Sequence, residues 1–344
     1  MTLDILIPHY KEPENIIKLL LDSIENQQGI DFTKIKVIIV NDGNDVILSD
    51  SFLKQYTFNL KYIIKDHEGA SAARNKALEI STADYVMFCD ADDMFIDCTA
   101  LWQIFINLRP ETTVFKSVFV AEMLNKNINF KNDDVTSVFY LMAPKSEKVI
   151  GHADTFVHGK VFKRQFLIDN DIRWPVELDY GEDSFFCKLA IILSKEVSYY
   201  DKPFYLWKYN ANSITRSTKS AKTVLHDYKA ILLSCKLLTQ AIYKHGYTDA
   251  VNKAVLAQLY FSSIFILTLQ DPELIANCLS AFYEFYQYAK QFDIENFMEE
   301  DKQLIFNAVQ VELTQETGQR NQITLTEVEN WLQTFKEENI EKVK

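Results

Sequence analysis

The stretch YVMFCDADD, at residues 85–93, decides the fold prediction because a strand ends there on a group of carboxylates. Its first five residues are mostly apolar and rich in strand formers, which is typical of a strand buried on both faces. Asp90, Asp92 and Asp93 follow at once. Carboxylates this close repel one another, and a hard divalent cation, Mg²⁺ or Mn²⁺, is the usual compensation.

Two interpretations of this acidic turn are open. Mg²⁺ and Mn²⁺ commonly share their ligand shell with phosphates, so a metal–diphosphate site is the first. The second is an acidic loop that caps the next helix, which would begin near Asp97 or Thr99. The elements that precede the turn help to decide between the two.

Apolar runs and helical patterns alternate before this turn. The sequence predicts strands at 3–7, 36–40 and 59–64 and helices at 15–24 and 71–80. This alternation predicts a mainly parallel sheet with helices on both faces, in which ligands bind beyond the carboxyl ends of the strands. Glu12, Asp42 and Asp90 follow three such ends, which favours a site. No glycine-rich dinucleotide motif or P-loop follows any strand.

Composition bounds the class of protein. The 344 residues suffice for two domains, and a hydrophobic share of 48% suffices for a substantial core. The net charge of −12 disfavours nucleic acid as a partner. The five cysteines form no C-x-x-C pair, so we expect reduced thiols in a cytoplasmic protein. The N-terminus has no signal-peptide pattern, and the apolar stretch 255–269 is shorter than a membrane span.

The second half of the chain divides into a mixed segment and a helical one. The sequence predicts short strands within 112–142, a helix at 162–168, and two strands at 197–200 and 204–209. Glu182 and Asp183 lie in the first turn of another apolar helix, where capping alone would account for them. Helices are then predicted from residue 222 onward, including 250–269, 272–292, 302–311 and 326–338.

A series of motifs in the first part resembles those of family 2 glycosyltransferases, which have the GT-A fold. The motifs are IPHYKEPENI, VIIVNDG, EGASAARNKAL, YVMFCDADD, HGKVFKRQFL, YGEDSFF and YLWKYNANSITRS, in the family order. The layout is also similar to that of bacterial cell-surface polysaccharide and teichoic-acid glycosyltransferases. The resemblance implies a Rossmann-like GT-A catalytic domain over 1–220. The helical remainder, 221–344, would serve the acceptor, oligomerisation or packing.

The resemblance also implies roles for single residues. Those implied to bind the nucleotide sugar are Pro8, Tyr10, Glu12, Asp42, Arg74, Asn75, Asp90, Lys160 and Arg216. In the D-x-D motif, Asp92 is the implied metal ligand, with Asp90 and Asp93 beside it. In the Glu182–Asp183 pair, Asp183 is the implied catalytic base. His158 lies where an acceptor sugar is expected, and no histidine is assigned as a metal ligand.

The chemistry fits these residue types. A divalent cation with Arg or Lys nearby neutralises the charge that develops on a departing diphosphate. A carboxylate whose pKa is raised by burial can take the proton of an acceptor hydroxyl. Attack from the face opposite the diphosphate inverts the anomeric carbon. Asp183, with Glu182 beside it, is the residue expected to act as this base.

We therefore expect an inverting, metal-dependent transferase that moves a sugar from a nucleoside diphosphate sugar, in the first instance a UDP-sugar, to a hydroxyl of a cell-surface glycan or glycopolymer precursor. It would act in the cytoplasm or peripherally at the inner face of the membrane. The sequence shows no Q-x-x-R-W stretch, so single transfer is preferred to processive synthesis. Two alternatives stay open: an inactive nucleotide- or glycan-binding module, and a transferase with a protein or nucleic-acid acceptor.

Overall fold

A computed structural model describes residues 1–43, 45–123, 126–130, 156–208, 219–317 and 322–340. The strands are β1 (Leu3–His9), β2 (Ile35–Asn41), β3 (Asn59–Ile64), β4 (Tyr85–Phe88), β5 (Met94–Phe95), β6 (Val114–Met123), β7 (Lys126–Phe130), β8 (Lys160–Lys163) and β9 (Val197–Trp207). The helices are α1 (Glu14–Glu25), α2 (Asp50–Leu53), α3 (Ala70–Ile80), α4 (Ala100–Asn107), α5 (Arg164–Asp169), α6 (Glu182–Leu193), α7 (Ala221–Lys244), α8 (Thr248–Thr268), α9 (Pro272–Ala289), α10 (Glu299–Thr317) and α11 (Leu325–Ile340).

The strands of the described residues form one mixed sheet. Its order is β3-β2-β1-β4-β8-β6-β9-β5, and β7 pairs with β6. The first four strands of this order are parallel, as predicted. Strand β8 runs antiparallel to both of its neighbours, while β9 is parallel to β6. The predicted α/β architecture is confirmed, and the carboxyl ends of β1, β2 and β4 lie at one edge.

The core lies between this sheet and its helices. The buried positions of α1 are Ile17, Leu20, Leu21 and Ile24, a spacing that places them on one helical face. Each such side chain stabilises the fold by about 1.5–3 kcal/mol. Leu19 does not belong to this face, since its side chain is 41% exposed.

Two predicted elements have different bounds in the structure. The helix predicted at 162–168 begins later, because Phe162 belongs to β8, where it pairs with Val86 and Val114. The strands predicted at 197–200 and 204–209 are one strand, β9. A register shift between Ser117 and Phe119 of β6 lets the pairing continue along β9. Residue 209 and part of the stretch 112–142 lie outside the described residues.

The described residues fall into two compact units, 1–208 and 219–340. The second unit consists of helices α7 to α11. Helix α8 packs against each of the other four and carries twelve buried residues, from Ala250 to Ile266. The roles predicted for 1–220 as a catalytic domain and 221–344 as an acceptor, oligomerisation or packing domain stay predictions.

Helix α8 is also the one described helix that is long and apolar enough to cross a membrane. However, 78% of its most apolar window is buried inside the protein. The core helix of a protein that stays out of the membrane passes the same test of length and hydropathy. Its packing against four other helices agrees with the prediction that the apolar stretch 255–269 does not span a membrane.

Candidate active site

The first polar cluster surrounds Asp42, directly after β2. Its carboxylate accepts hydrogen bonds from Lys65 Nζ at 3.0 Å and from the backbone N–H groups of Glu68 and Gly69 at 3.1 and 2.7 Å. His67 Nδ1 lies 2.7 Å from the same carboxylate. Burial alone would raise the pKa of Asp42, but these donors lower it below the ordinary value. Asp42 is therefore an ionised anchor for the loop that follows β3.

The loop after Asp42 is tightly folded. Gly43 has a φ of +66°, and a Cβ there would lie 2.5 Å from the backbone nitrogen of His67. Tyr10, after β1, stacks on His67 with ring centroids 4.7 Å apart and an angle of 14°. The Glu12 carboxylate accepts the Tyr10 N–H at 2.7 Å, and Pro8 pairs with Val40 at the end of β1. Tyr10 is 39% exposed, so its ring offers a flat surface to a ligand.

The second cluster surrounds Arg74, which is nearly fully buried in α3. Its guanidinium donates to Asp90 at 2.9 Å and to Glu182 at 3.1 Å, and lies 3.7 Å from Asp183. Asp90 comes from the end of β4, whereas the other two carboxylates come from the first turn of α6. Arg74 thus joins the acidic turn to the Glu-Asp pair, two segments that lie far apart in the sequence.

Asp183 has an environment suited to a general base. Its Oδ1 is buried and accepts no hydrogen bond from a described residue. Burial raises its pKa to about 7, against the opposing effect of Arg74; the charges of Glu182 and Asp90 add to the increase. Gly181 occupies the N-cap position of α6 and provides no side-chain cap. Capping alone therefore does not account for the Glu-Asp pair, since both carboxylates face Arg74.

The acidic turn holds a candidate metal centre. Among the described residues, ligand atoms of Asp90, Asp93 and His158 all lie within 4.8 Å of one another. Burial lowers the pKa of His158 to about 4, so its imidazole is neutral, the form that binds metals. Two carboxylates and an imidazole suit Mn²⁺, so the donor set fits a cation. Asp92 is half-buried in the same turn and does not belong to this group.

Strand β9 supports this centre. The Tyr205 hydroxyl donates to Asp93 at 2.6 Å and accepts the N–H of Asp90 at 3.1 Å. The backbone N–H of Lys208 donates to the other oxygen of Asp93 at 2.9 Å. Burial, together with the charges of Asp90 and Asp92, raises the pKa of Asp93 well above its ordinary value. A bound cation would oppose this increase and favour the ionised carboxylate.

The remaining predicted residues lie in different surroundings. Lys160 is buried in β8, and its ammonium donates to the Phe156 carbonyl at 2.5 Å. Asn75 directs its side chain to the backbone of Trp174. Arg216 lies outside the described residues. Sequence reasoning did not assign His158 to the metal centre and did not single out Trp174 at all, because their neighbours are distant in the sequence.

Residues 4–163 match the model described as glycosyl transferase family 2. Over this segment, just under half of its length, the chain is similar to family 2 glycosyltransferases. The matched segment contains Asp42, Arg74 and the acidic turn, and it ends before the Glu182–Asp183 pair. The predicted resemblance is therefore confirmed over this segment.

Named relatives carry related domains. Glycosyltransferase GlyA of Streptococcus pneumoniae is 24% identical over 62% of this chain and 31% of its own length. Poly(ribitol-phosphate) beta-N-acetylglucosaminyltransferase TarS of Staphylococcus aureus is 26% identical over 60% of this chain and 35% of its own length. The chain spans 60% or less of the length of the relatives it matches.

Solved structures share the fold over nearly the whole chain. The crystal structure of S. aureus TarS 1-349 in complex with UDP has a TM-score of 0.59 and 18% identity, covering 93% of this chain and 92% of that one. The same protein in complex with UDP-GlcNAc gives a TM-score of 0.58 over 93% of each chain. The predicted GT-A fold followed by a helical region is confirmed by this likeness.

Proposed function

We propose that the chain transfers a sugar from a UDP-sugar to a hydroxyl group of a cell-surface glycopolymer, with inversion at the anomeric carbon. The observation that carries this proposal is the cluster in which Arg74 joins Asp90 of the acidic turn to the half-buried carboxylate of Asp183. This cluster brings together the charged residues Arg74 and Asp90, proposed to serve the donor, and Asp183, whose raised pKa suits a base for the acceptor. One protein of similar fold, S. aureus TarS, is crystallised with UDP and with UDP-GlcNAc, which supports the choice of donor.

The residues divide the reaction between them. The stacked rings of Tyr10 and His67 and the anchored loop at Asp42 hold the nucleotide. Asp183 takes the proton from the acceptor hydroxyl while the oxygen of that hydroxyl attacks the anomeric carbon. The bond from that carbon to the diphosphate breaks, and UDP leaves. Burial raises the pKa of Asp183 to about 7, which lets it accept a proton near neutral pH.

Asp90, Asp93 and His158 would hold a Mn²⁺ or Mg²⁺ ion. Such an ion supplies positive charge to the departing diphosphate. The sequence assigns Asp92 to this role as well, and its half-buried position beside Asp93 leaves it near the same centre. Arg74 donates a hydrogen bond to Asp90 at 2.9 Å and so helps to hold it in place.

The acceptor class is proposed from the relatives. TarS, similar over 60% of this chain, is named for transfer of N-acetylglucosamine to poly(ribitol phosphate). A hydroxyl-rich, anionic glycopolymer is therefore the acceptor that we propose. The five cysteines are free, which supports action in the reducing cytoplasm.

A donor screen tests the function. Purified protein is incubated with UDP-GlcNAc, UDP-glucose and GDP-mannose, with Mn²⁺ or with EDTA, and with or without poly(ribitol phosphate). We expect a UDP-sugar to raise the melting temperature only with Mn²⁺ and the acceptor to accelerate UDP release. Binding of UDP without turnover on any acceptor would favour the binding-module alternative. Turnover only with a protein or nucleic acid would replace the proposed acceptor.

A further inference from the structure

The guanidinium of Arg74 lies on an indole ring. Its central carbon is 4.3 Å from the ring centroid of Trp174, which is 1% exposed. Phe186 of α6 stacks on the same indole at 4.4 Å with an angle of 8°, and Phe88 of β4 meets it edge-on at 5.0 Å. The indole is therefore fixed by aromatic rings from the two elements that also carry the carboxylates.

Asn75 fixes the backbone of the same tryptophan. Its Nδ2 donates to the Trp174 carbonyl at 2.8 Å, and its Oδ1 accepts the Trp174 N–H at 2.9 Å. Both polar groups of the Asn75 amide thus form hydrogen bonds with the backbone of Trp174, which is 99 positions away in the sequence. Because Asn75 follows Arg74 directly in α3, one short segment holds both the guanidinium and the ring beneath it.

Arg74 depends on this support. Its Nε is buried and makes no hydrogen bond to a described residue, so hydrogen bonds hold only the far end of the guanidinium. That end contacts Asp90, Glu182 and Asp183 within 3.7 Å. A flat ring under a guanidinium attracts the cation and restricts its tilt. Without the ring, the guanidinium could shift toward one carboxylate and away from another.

We propose that Trp174 and Asn75 are positioning residues for the transfer reaction, acting through Arg74. They hold its guanidinium at one distance from the acidic turn and from Asp183. This inference rests on the proposed function, because it concerns the geometry of the same site. Neither residue needs to touch the donor or the acceptor.

The test is a double-mutant cycle measured on UDP-sugar transfer. Trp174→Leu should lower kcat by about 10²-fold, the loss that a displacement of about 1 Å can cause, with a smaller change in acceptor KM. Trp174→Phe keeps a flat ring and should stay within about tenfold of the wild type. If the indole acts through Arg74, Trp174→Leu should cost little further activity in an Arg74→Lys background.

A matched control separates positioning from stability. Phe58→Leu removes a buried ring remote from this cluster and should lower the melting temperature while leaving kcat unchanged. If Trp174→Leu does not fold, Asn75→Ala enters the same cycle, with an expected loss of about tenfold that also disappears beside Arg74→Lys.

Independent, multiplicative losses in the double mutant would overturn the positioning role, as would equal kcat values for Trp174→Leu and Trp174→Phe. Either result with an active wild type leaves the proposed function intact. Absence of wild-type turnover on every UDP-sugar would instead remove the proposed function and this inference together.

Discussion

Asp42 is a buried aspartate that follows β2, whereas Asp183 is a half-buried aspartate of α6 with one buried oxygen, and their surroundings are opposite. Asp42 accepts hydrogen bonds from a lysine and two backbone N–H groups, and its pKa is lowered. Asp183 has a buried oxygen without a hydrogen bond to a described residue, and burial raises its pKa to about 7. The same type of side chain is thus a fixed charge in one place and, in the function that we propose, a proton acceptor in the other.

This difference shows that the surroundings of an aspartate, and not its residue type alone, determine its protonation. The donors around Asp42 come from one loop, 65–69, and together they favour its ionised form. The cation near Asp183 is Arg74, which two other carboxylates share. One guanidinium does not fully compensate three neighbouring carboxylates, and burial raises the pKa of Asp183 despite Arg74 and a hydrogen bond from the backbone N–H of Val157. We expect substitution of Asp183 to reduce the rate of transfer, and substitution of Asp42 to reduce stability and donor affinity.

Asp183→Asn should have the largest effect. The amide keeps the shape of the side chain but cannot accept the acceptor's proton, so kcat should fall by about 10³-fold. Donor binding, measured by titration with UDP-sugar and Mn²⁺, should stay close to that of the wild type.

Glu182→Gln is the matched control for this change, because it removes the neighbouring charge on the same helix turn. It should lower kcat by about tenfold at most, through its effect on Arg74 and on the pKa of Asp183. An equal loss for the two variants would assign the proton transfer to neither residue.

Asp42→Ala should mainly reduce stability and donor affinity. It leaves the backbone N–H groups of Glu68 and Gly69 without their acceptor and removes one of the two carboxylate partners of the half-buried Lys65, which costs about 3 kcal/mol in the free energy of unfolding. Because the pKa of Asp42 is lowered, its stabilisation is present above the ordinary carboxyl pKa of about 4 and is lost as the pH falls further. Urea unfolding at pH 7 and pH 3 measures this, and equal losses at both pH values would contradict it.

Gly43→Ala should have the smallest of these effects. Its φ of +66° and the close His67 backbone make an added Cβ costly, by about 1–3 kcal/mol in unfolding free energy. Gly69→Ala is the comparison, because its φ is also positive, at +94°, and a Cβ there meets no atom within 4 Å. Thermal unfolding of both should show the larger loss at Gly43, and the reverse order would indicate that the loop after Asp42 can move aside.

Much of the fold was predictable because its signals are local. The apolar runs that became β1, β2 and β4 end in polar residues, and their order predicted which carboxylates share an edge. The bounds of β8 and β9 were not predictable in this way. Phe162 suits a helix or a strand by its type, and pairing with β4 and β6 decided for the strand.

The sequence pointed to the charged residues of the candidate site but not to the residues that hold them in place. Asp90, Asp183 and Arg74 came from motifs with recognisable residue types. His158, Tyr205 and Trp174 act through contacts that span long stretches of sequence, and an isolated aromatic residue is usually part of a core. The sequence therefore indicated which groups carry charge and left open what holds them.

The dependence of kcat/KM on pH, for the wild type and for Asp183→Asn, tests the central claim most directly. The base must be ionised to act, and the pKa of Asp183 is raised to about 7. We predict that wild-type kcat/KM falls about tenfold per pH unit below pH 7, and that this limb is absent in Asp183→Asn. A wild-type profile that stays flat from about pH 5 to 8, or a limb that persists in the variant, would contradict the role of Asp183 as the base.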